Sequence, residues 1–506
     1  MTVKGYARYL LVMAGLGGLI YGIDVGVIAA ALPYIRNTSD YSAVQLGFIV
    51  GAVLWGSVIS SLFAGSLSEW LGRKKIIIAS AFCFFISIPV ICVSGLFEGG
   101  NFLLLTVGRT LQGASAGLVG VVVPMYLAEC LDSDSRGKGT GMFQLLLTIG
   151  LAFAAVIGLV VTGLVGDSDK IVKELAEKNG VDVAAVTFAH IKSWVTAEQL
   201  KGWATAWQTI FLCSAIPGLI LFLGAFWLKE SPRWLYKKGR REDALASLAA
   251  NNGEAKAKEI LDEMVAADKA AEDEKAAIAK AAQGDSLFQR KYIYPFLLAV
   301  TILACNQTTG INSVLNYTVD IFKATGMEGV FANFSDLAIK LVNVFMTIVA
   351  CAIVDRKGRK FLLKLGTSGI ILGLCGVATT FLLITKGVVV ASMTTGVVAT
   401  VFFFMFIAFY AVGPGVCVWL ALSELMPTRI RATGMSIAMI INQGVSATIA
   451  TIFPAWKDAW GFPAVFYCLA GFTVVYFITA AFFLPETKGR TLEEIEQYFK
   501  TGKMPE

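Results

Sequence analysis

Charged residues and histidine are scarce in this sequence. Only 15% of the 506 residues are charged, 56% are hydrophobic, and the mean hydropathy is +0.71. Because soluble domains carry about 25% charged residues, this composition excludes an ordinary soluble protein and indicates an integral membrane protein. The one histidine, His190, lies in a polar segment and is expected to be a solvated surface residue.

The motifs that carry enzyme chemistry are also missing. The sequence has no recognisable phosphate-binding loop, metal-ligand cluster or nucleophile–base pair, so we expect neither an enzyme, nor an ATP-driven pump, nor a cofactor or metal. The nine cysteines occur singly, without the spacing of a metal site or a disulfide framework. The net charge of +6 is confined to the segments between apolar runs, which argues against a nucleic-acid partner.

Apolar runs dominate what is present. They are continuous rather than alternating and about 20 residues or longer, which predicts membrane-spanning helices and excludes an outer-membrane barrel. The first run is too long for a cleavable signal peptide and predicts a first spanning helix. We predict about twelve spans, with approximate cores at 8–34, 44–69, 75–95, 102–128, 138–164, 205–228, 292–322, 335–354, 360–384, 390–422, 431–454 and 461–484.

Two polar segments interrupt this pattern. The charged, Ala-rich segment 229–290 predicts short amphipathic helices on the membrane surface. The segment 166–201 predicts a long loop on the opposite side, with a short helix near 170–178. Lys and Arg concentrate on the side of segment 229–290, which places both termini in the cytoplasm. We expect a bacterial inner membrane rather than a eukaryotic plasma membrane.

The sequence repeats itself. Acid and arginine are four residues apart after the second and eighth spans and seven apart after the fourth and tenth: Glu69–Arg73, Asp355–Arg359, Glu129–Arg136 and Glu424–Arg431. This repetition predicts two similar six-helix halves that rock around a central site. The predicted units are a bundle at 1–228, a cytoplasmic linker at 229–290, a second bundle at 291–486 and a tail at 487–506.

Uncharged polar side chains concentrate in the seventh span. No charge lies between Lys291 and Asp320, yet the span contains Asn306, Gln307, Asn312, Asn316 and Tyr317. Polar groups at bilayer depth are costly, so they mark a pathway or a site by default. Gly310 allows the helix to bend or break there. Amides suit a neutral, polyhydroxylated solute, and we therefore predict sugar binding near the membrane midplane.

The motifs as a set resemble those of the sugar porters of the major facilitator superfamily, over nearly the whole chain. They are Gly22-Ile-Asp24, Gly65-x3-Glu69-x2-Gly-Arg-Lys, Gly108-Arg109-x3-Gly113, Pro124-x4-Glu129, Arg136-Gly, Gln144-Leu, Glu230-Ser-Pro-Arg233, Gln307-x2-Gly-Ile-Asn312, Asp355-Arg-x-Gly-Arg-Lys, Gly413-Pro-x4-Trp419, Ser423-Glu424 and Pro485-Glu486-x3-Arg490. The resemblance implies an all-α major facilitator fold.

The resemblance also implies a substrate site. Gln144, Gln307, Asn312, Trp419 and Asn442 match positions that contact the sugar in the family. Asn343 and Tyr317 match nearby positions, and Asn306 and Asn316 stand where the family usually has Gln and Tyr. These departures leave the identity of the sugar open. The alternative for the amides is helix–helix contact, and for Trp419 an interfacial aromatic role.

Asp24 and Arg109 are predicted to couple transport to protons. By helix rise, both lie in the outer half of the membrane, and we expect the two charges to pair. Proton-coupled members of the family carry Asp and Arg at these positions. We hypothesise that Asp24 takes up a proton when the pair separates. The alternative is a static ion pair in a uniporter.

Charges at the cytoplasmic ends are predicted to form salt bridges that link the halves in an outward-open state. This predicted gate comprises Glu69, Arg73, Glu129, Arg136, Glu230, Arg233, Asp355, Arg359, Glu424, Arg429, Arg431, Glu486 and Arg490. The expected function is import of a hexose or pentose by proton symport, with a sugar, protons and the bilayer as partners and a monomer as the functional unit. A facilitative sugar or polyol (inositol) uniporter is the alternative, and a transporter-like nutrient sensor is a remote one.

Overall fold

The computed structural model describes residues 3–130, 133–254, 256–266, 289–427, 430–486 and 492–501, and every regular element in these ranges is helical. The N-terminal half contains α1 (Val3–Thr38), α2 (Ala43–Leu71), α3 (Arg73–Ser94), α4 (Phe102–Cys130), α5 (Ser133–Val165) and α8 (Ala197–Ala225). Between α5 and α8 lie α6 (Ser168–Lys178), a 3₁₀ turn (Val183–Ala185) and α7 (Phe188–Trp194). The predicted long loop is therefore largely helical.

The connecting segment and the C-terminal half follow the same helical plan. The connection has α9 (Pro232–Lys237), α10 (Arg241–Asn252) and α11 (256–266). The C-terminal half has α12 (Arg290–Thr308), α13 (Ile311–Ala324), α14 (Gly329–Lys357), α15 (Arg359–Thr385), α16 (Met393–Val412), α17 (Pro414–Leu425), α18 (Arg431–Ile478), a π-helical turn (Thr479–Phe483) and α19 (Leu492–Thr501).

Twelve membrane crossings can be counted in the described ranges. Ten helices are long and apolar enough to cross a membrane. One of these, α18, is interrupted at Gly461. Ala438 and Ala480, on either side of Gly461 in sequence, belong to one buried apolar cluster, so the chain reverses there and crosses twice. Adding this second crossing and the broken α12–α13 pair gives two sets of six. The predicted fold class is confirmed.

Glycines permit two features that shape the interior. Gly310 separates α12 from α13 with a φ of 79°, a left-handed conformation that L side chains rarely adopt. Gly22 lets α1 and α5 approach closely, because a Cβ there would lie 1.9 Å from the carbonyl oxygen of Leu147. The break turns the seventh span into two half-helices whose ends face the interior, which is where a transport site is expected.

In the described residues, three pairs of long helices bring the two halves into contact. Helix α1 packs on α13, α2 on α18 and α5 on α14. Trp55 on α2 donates to the hydroxyl of Thr451 on α18 at 3.2 Å, and Asn333 on α14 donates to Thr162 on α5 at 3.3 Å. Thr162 lies near the end of α5 that leads into the α6 loop. The halves are therefore in direct contact on the side of that loop, which we call the outer side.

Candidate transport site

Three of the predicted sugar-contacting amides converge where α12 ends and α13 begins. Gln307 donates to Asn442 on α18 at 3.3 Å, and Asn312 donates to Gln307 at 3.0 Å and to Ser446 at 2.7 Å. Asn442 in turn donates to the carbonyl of Leu303 at 2.9 Å. The break at Gly310 lets Gln307 and Asn312 meet from two different half-helices. The result is a fixed cluster of amide donors and acceptors in the membrane interior.

Two more of the predicted amides carry unsatisfied acceptors. The side-chain oxygens of Asn306 and Asn316 are buried and have no hydrogen-bond partner in the described residues. A buried amide oxygen without a partner is costly unless a ligand or water completes it. Asn306 also contacts the hydroxyl of Tyr410 on α16, a residue that our sequence analysis did not select. Its only sequence signal is its position just before the Gly413-Pro414 break.

Tyr317 has a different role from the amides. Its hydroxyl donates to the carbonyl of Ala450 at 3.0 Å, and its ring stacks on Phe453 with centroids 4.9 Å apart. These contacts hold α13 against α18. Trp419 lies in α17, and its side chain falls outside the described residues.

Gln144 lies on the side of α5 that faces the other half. It is exposed, yet it lies on the side of α5 opposite the exposed apolar residues Ile149, Phe153 and Val160. It lies 18 residues, or five turns, before Thr162, and so on the same side of α5. On this side of α5, Thr162 contacts the other half, whereas Gln144 is exposed. The interior therefore opens toward the Ser133 end of α5, away from the outer side. Asn343 on α14 is half-buried.

Asp24 and Arg109 are both buried but do not pair through their side chains as expected. A nitrogen of Arg109 donates to the backbone carbonyl of Asp24 at 3.3 Å and to Gln112 at 2.8 Å. The guanidinium also lies 5.6 Å from the ring centre of Phe211. Neither carboxyl oxygen of Asp24 has a hydrogen-bond partner in the described residues. The guanidinium is directed at Gln112, one turn along α4, and its Nε also has no hydrogen-bond partner in the described residues.

In the N-terminal half, Arg73 and three acids of the predicted cytoplasmic gate pair with one another. Arg73 donates to both oxygens of Glu129 at 2.9 Å and to Glu69 at 2.7 Å. Glu230 accepts from the backbone N–H groups of Arg73 and Lys74 at 2.9 and 3.0 Å. The predicted bridging of the halves concerns an outward-open state and stays a prediction.

The C-terminal half repeats one of these contacts. Glu486 accepts from the backbone N–H of Arg359 at 3.1 Å, as Glu230 does at Arg73. Each carboxylate thus lies at the N-terminus of a corresponding helix, where negative charge is stabilised. Arg233 is exposed on α9. The remaining gate side chains lie outside the described residues: Arg136, Asp355, Glu424, Arg429, Arg431 and Arg490.

A charged cluster that our sequence analysis did not predict joins the halves on the outer side. Arg36 on α1 lies 3.1 Å from Asp320 on α13 and 2.9 Å from Asp169 on α6. Lys323 on α13 lies 2.9 Å from Asp169 and 2.5 Å from Asp167. Burial acts to raise the pKa of Asp169, but the charges of Arg36 and Lys323 outweigh it and hold that pKa well below its usual range. We call these five residues the outer ionic cluster.

Comparison with known proteins identifies the family. The model of the family described as "Sugar (and other) transporter" matches residues 10–499. The chain belongs to this family. It is 27% identical to a D-xylose transporter of Levilactobacillus brevis, over 98% of this chain and 96% of that protein. It is 26% identical to an arabinose-proton symporter of Bacillus subtilis, over 97% and 95%.

A solved structure supports the fold. The inward-open conformation of the xylose transporter XylE from E. coli matches with a TM-score of 0.74 and 24% identity, over 97% of this chain and 99% of that one. The sugar porter resemblance and the major facilitator fold predicted from the motifs are confirmed. The chain is a multi-pass membrane protein of a sugar transporter family.

Proposed function

We propose that this protein imports a monosaccharide, a hexose or a pentose, by proton symport through alternating access. The observation that carries this proposal is the convergence of Gln307, Asn312 and Asn442 at a helix break between two six-helix halves. Amides at this point replace water around sugar hydroxyls, because each offers both donors and an acceptor. Asn306 and Asn316 add acceptors that have no protein partner in the described residues.

The arrangement of the halves corresponds to an inward-facing state. On the outer side the halves touch through the outer ionic cluster and through Asn333 and Thr162. At the depth of Gln144 the same side of α5 is exposed. A sugar bound at the amides would leave toward the cytoplasm. The outward-facing state then requires these outer contacts to separate, and the cytoplasmic charges of the two halves would approach each other.

Asp24 is the proposed proton carrier. Its carboxyl group is buried without a hydrogen-bond partner, whereas Arg109 is held by Gln112 and a backbone carbonyl. An ionised carboxylate in such surroundings is costly. We propose that Asp24 is protonated when the outer side closes, and that it releases the proton to the cytoplasm after the sugar leaves. Arg109 then attracts the ionised form and resets the carrier.

Proton-driven uptake into proteoliposomes tests this mechanism. With an imposed inward proton gradient, the wild type is expected to accumulate D-xylose or D-glucose above the external concentration and to acidify the lumen. Asp24→Asn is expected to retain sugar exchange at equal concentrations but to lose accumulation. Asp458→Asn, on an exposed outer residue, is the control and should behave as the wild type. Uptake that never exceeds equilibrium and never moves protons would refute symport.

One observation favours the facilitative alternative. Because Arg109 does not pair with the Asp24 side chain, the pair could act in helix packing alone, and the protein would then be a sugar or polyol uniporter. The same experiment separates the two, since a uniporter equilibrates the sugar regardless of the proton gradient. In either case we place both termini in the cytoplasm of a bacterial cell, and we expect a monomer to suffice.

A further inference from the structure

A second pair of opposite charges is buried in the C-terminal half. Asp336 and Lys340 lie one turn apart on α14, with carboxylate oxygen and ammonium nitrogen 2.7 Å apart, and both side chains are fully buried. They lie within the apolar part of α14 that is long enough to cross a membrane. Removing two charges from water costs several kcal/mol per ion, and an apolar pair of similar size is often as stable. A structural role alone explains such a pair poorly.

The hydrogen bonding of this pair is incomplete. The second carboxylate oxygen of Asp336 is buried and has no partner in the described residues. Lys340 has three N–H donors, and the described residues supply one acceptor, Asp336. Thr318 on α13 faces the carboxylate. Its hydroxyl already donates to the carbonyl of Val314 at 2.6 Å. An unused acceptor therefore lies beside unused donors.

The pair lies between the contact of the two halves on the outer side and the predicted sugar site. Asn333, Asp336, Lys340 and Asn343 are three or four residues apart and so share one side of α14. At the outer end of this side, Asn333 contacts Thr162 on α5 of the other half. At its inner end lies Asn343, which the sequence motifs place near the sugar. Separation of α14 from α5 in an outward-facing state would open this side to external water.

We propose that Asp336 and Lys340 form an outer subsite that binds two adjacent hydroxyl groups of a sugar or polyol arriving from outside. The free oxygen of Asp336 accepts from one hydroxyl and the ammonium of Lys340 donates to its neighbour. Hydrogen bonds to ionised groups are about twice as strong as neutral ones. In the inward-facing state the same groups are enclosed, so the sugar binds them only on the outer side. This inference rests on the proposed function.

Deoxy sugars combined with side-chain substitutions test the subsite. Uptake of labelled D-xylose or D-glucose into outside-out proteoliposomes is measured in the presence of external monodeoxy analogues. Asp336→Asn and Lys340→Gln are expected to weaken the apparent affinity for the parent sugar about tenfold or more. One monodeoxy analogue should bind the wild type more weakly than the parent sugar does. The same analogue should bind Asp336→Asn about as well as the parent sugar does. The analogue deoxygenated at the adjacent carbon should behave in the same way with Lys340→Gln.

Two controls separate binding from folding. The outer pair Lys457–Asp458, 2.8 Å apart and partly exposed, provides Lys457→Gln and Asp458→Asn, which should leave every affinity unchanged. The exchanged variant D336K/K340D keeps an ion pair on α14 but moves the acceptor by one turn. It should fold, as judged by gel filtration, and still lose the deoxy-sugar discrimination.

Four results would overturn the subsite. Deoxy penalties that are equal in wild type and variants would make the pair structural, as would full activity of D336K/K340D. Loss of accumulation in Asp336→Asn with unchanged deoxy penalties would make it a coupling group instead. If the wild type itself neither takes up nor exchanges any sugar, the proposed function fails and the subsite falls with it. If the wild type takes up sugar, any of the first three results removes the subsite and leaves the proposed function standing.

Discussion

Asp169 on α6 lies 2.9 Å from both Arg36 on α1 and Lys323 on α13, and so joins a loop of one half to a helix of the other. Helix α13 also contains Asn312 and Asn316 and begins at the Gly310 break. The half-helix that carries predicted sugar ligands therefore ends in the outer ionic cluster. Opening of the outer side must break this cluster, so its strength contributes to the balance between the two states.

We predict that Asp169→Asn shifts the protein toward the outward-facing state. Asp169 is the one carboxylate that contacts both cations; without it Arg36 keeps only Asp320 and Lys323 keeps only Asp167. Loss of this shared partner from a partly buried group of charges weakens the outer contact, and we expect the population to shift at least about tenfold. The shift can be measured as labelling of a cysteine introduced at Thr162 by a membrane-impermeant thiol reagent, in a background without the native cysteines.

The chain offers a matched control for this prediction. Lys170 and Glu328 also connect the two halves, at 3.0 Å, but their side chains are 50% and 62% exposed. Exposed pairs contribute little, so Lys170→Gln should leave the labelling close to that of the wild type. Equal labelling in Asp169→Asn and Lys170→Gln would contradict a role of the outer ionic cluster in closure.

The outer ionic cluster is also predicted to be insensitive to moderate acid. Arg36 and Lys323 hold the pKa of Asp169 well below its usual range. A lowered pKa means that the stabilisation is fully present above the ordinary Asp value of about 3.9 and is lost only as pH falls through the lowered pKa. The labelling difference between wild type and Asp169→Asn should thus stay constant from about pH 8 to about pH 5. A difference that disappears near pH 5 would show that another group controls closure.

The sequence motifs located some of these contacts better than others. The amides at 307 and 312 could be predicted together because one family motif contains both of them and Gly310, whose φ is 79° in the structure. Asn442 is predicted from a separate matching position of the family. The outer ionic cluster could not, because Arg36 and Asp169 are 133 residues apart and neither lies in a periodic pattern. Asp336 and Lys340 have the spacing of a helical ion pair, which is visible in the sequence, but only burial distinguishes them from a surface pair.

The carboxyl–guanidinium pairing expected for Asp24 and Arg109 shows a different limit of sequence reasoning. Depth along two helices predicted that both residues lie in the outer half of the membrane, and the structure shows that both side chains are buried. It could not predict which acceptor the guanidinium selects. That choice depends on side-chain rotamers and on Gln112, which lies one turn away on the same helix.

We predict that Asn442→Ala weakens sugar binding and also destabilises the protein. The substitution removes an acceptor for Gln307 and leaves the carbonyl of Leu303 without its donor. An unsatisfied buried polar group costs about 1–3 kcal/mol, and loss of the amide should lower the apparent sugar affinity about tenfold. Both effects can be measured, by competition uptake in proteoliposomes and by thermal unfolding in detergent. Thr448→Ala, at an exposed position of the same helix, should change neither. Unchanged sugar affinity in Asn442→Ala would place the binding site elsewhere.

Finally, Gly310→Ala should destabilise the protein and reduce sugar exchange far more than an alanine at a helical glycine of the same half. Gly310 has a φ of 79°, and a Cβ there would lie 2.6 Å from the side chain of Leu469. The left-handed conformation alone costs an L residue about 1–2 kcal/mol, and the contact with Leu469 adds to it. Gly444 has helical backbone and no atom within 4 Å of an added Cβ, so Gly444→Ala should be neutral or slightly stabilising. Thermal unfolding in detergent compares the two variants, and sugar exchange shows whether any folded Gly310→Ala protein still moves substrate. If Gly310→Ala unfolds at the wild-type temperature and exchanges sugar at the wild-type rate, the break between α12 and α13 is not required for the site.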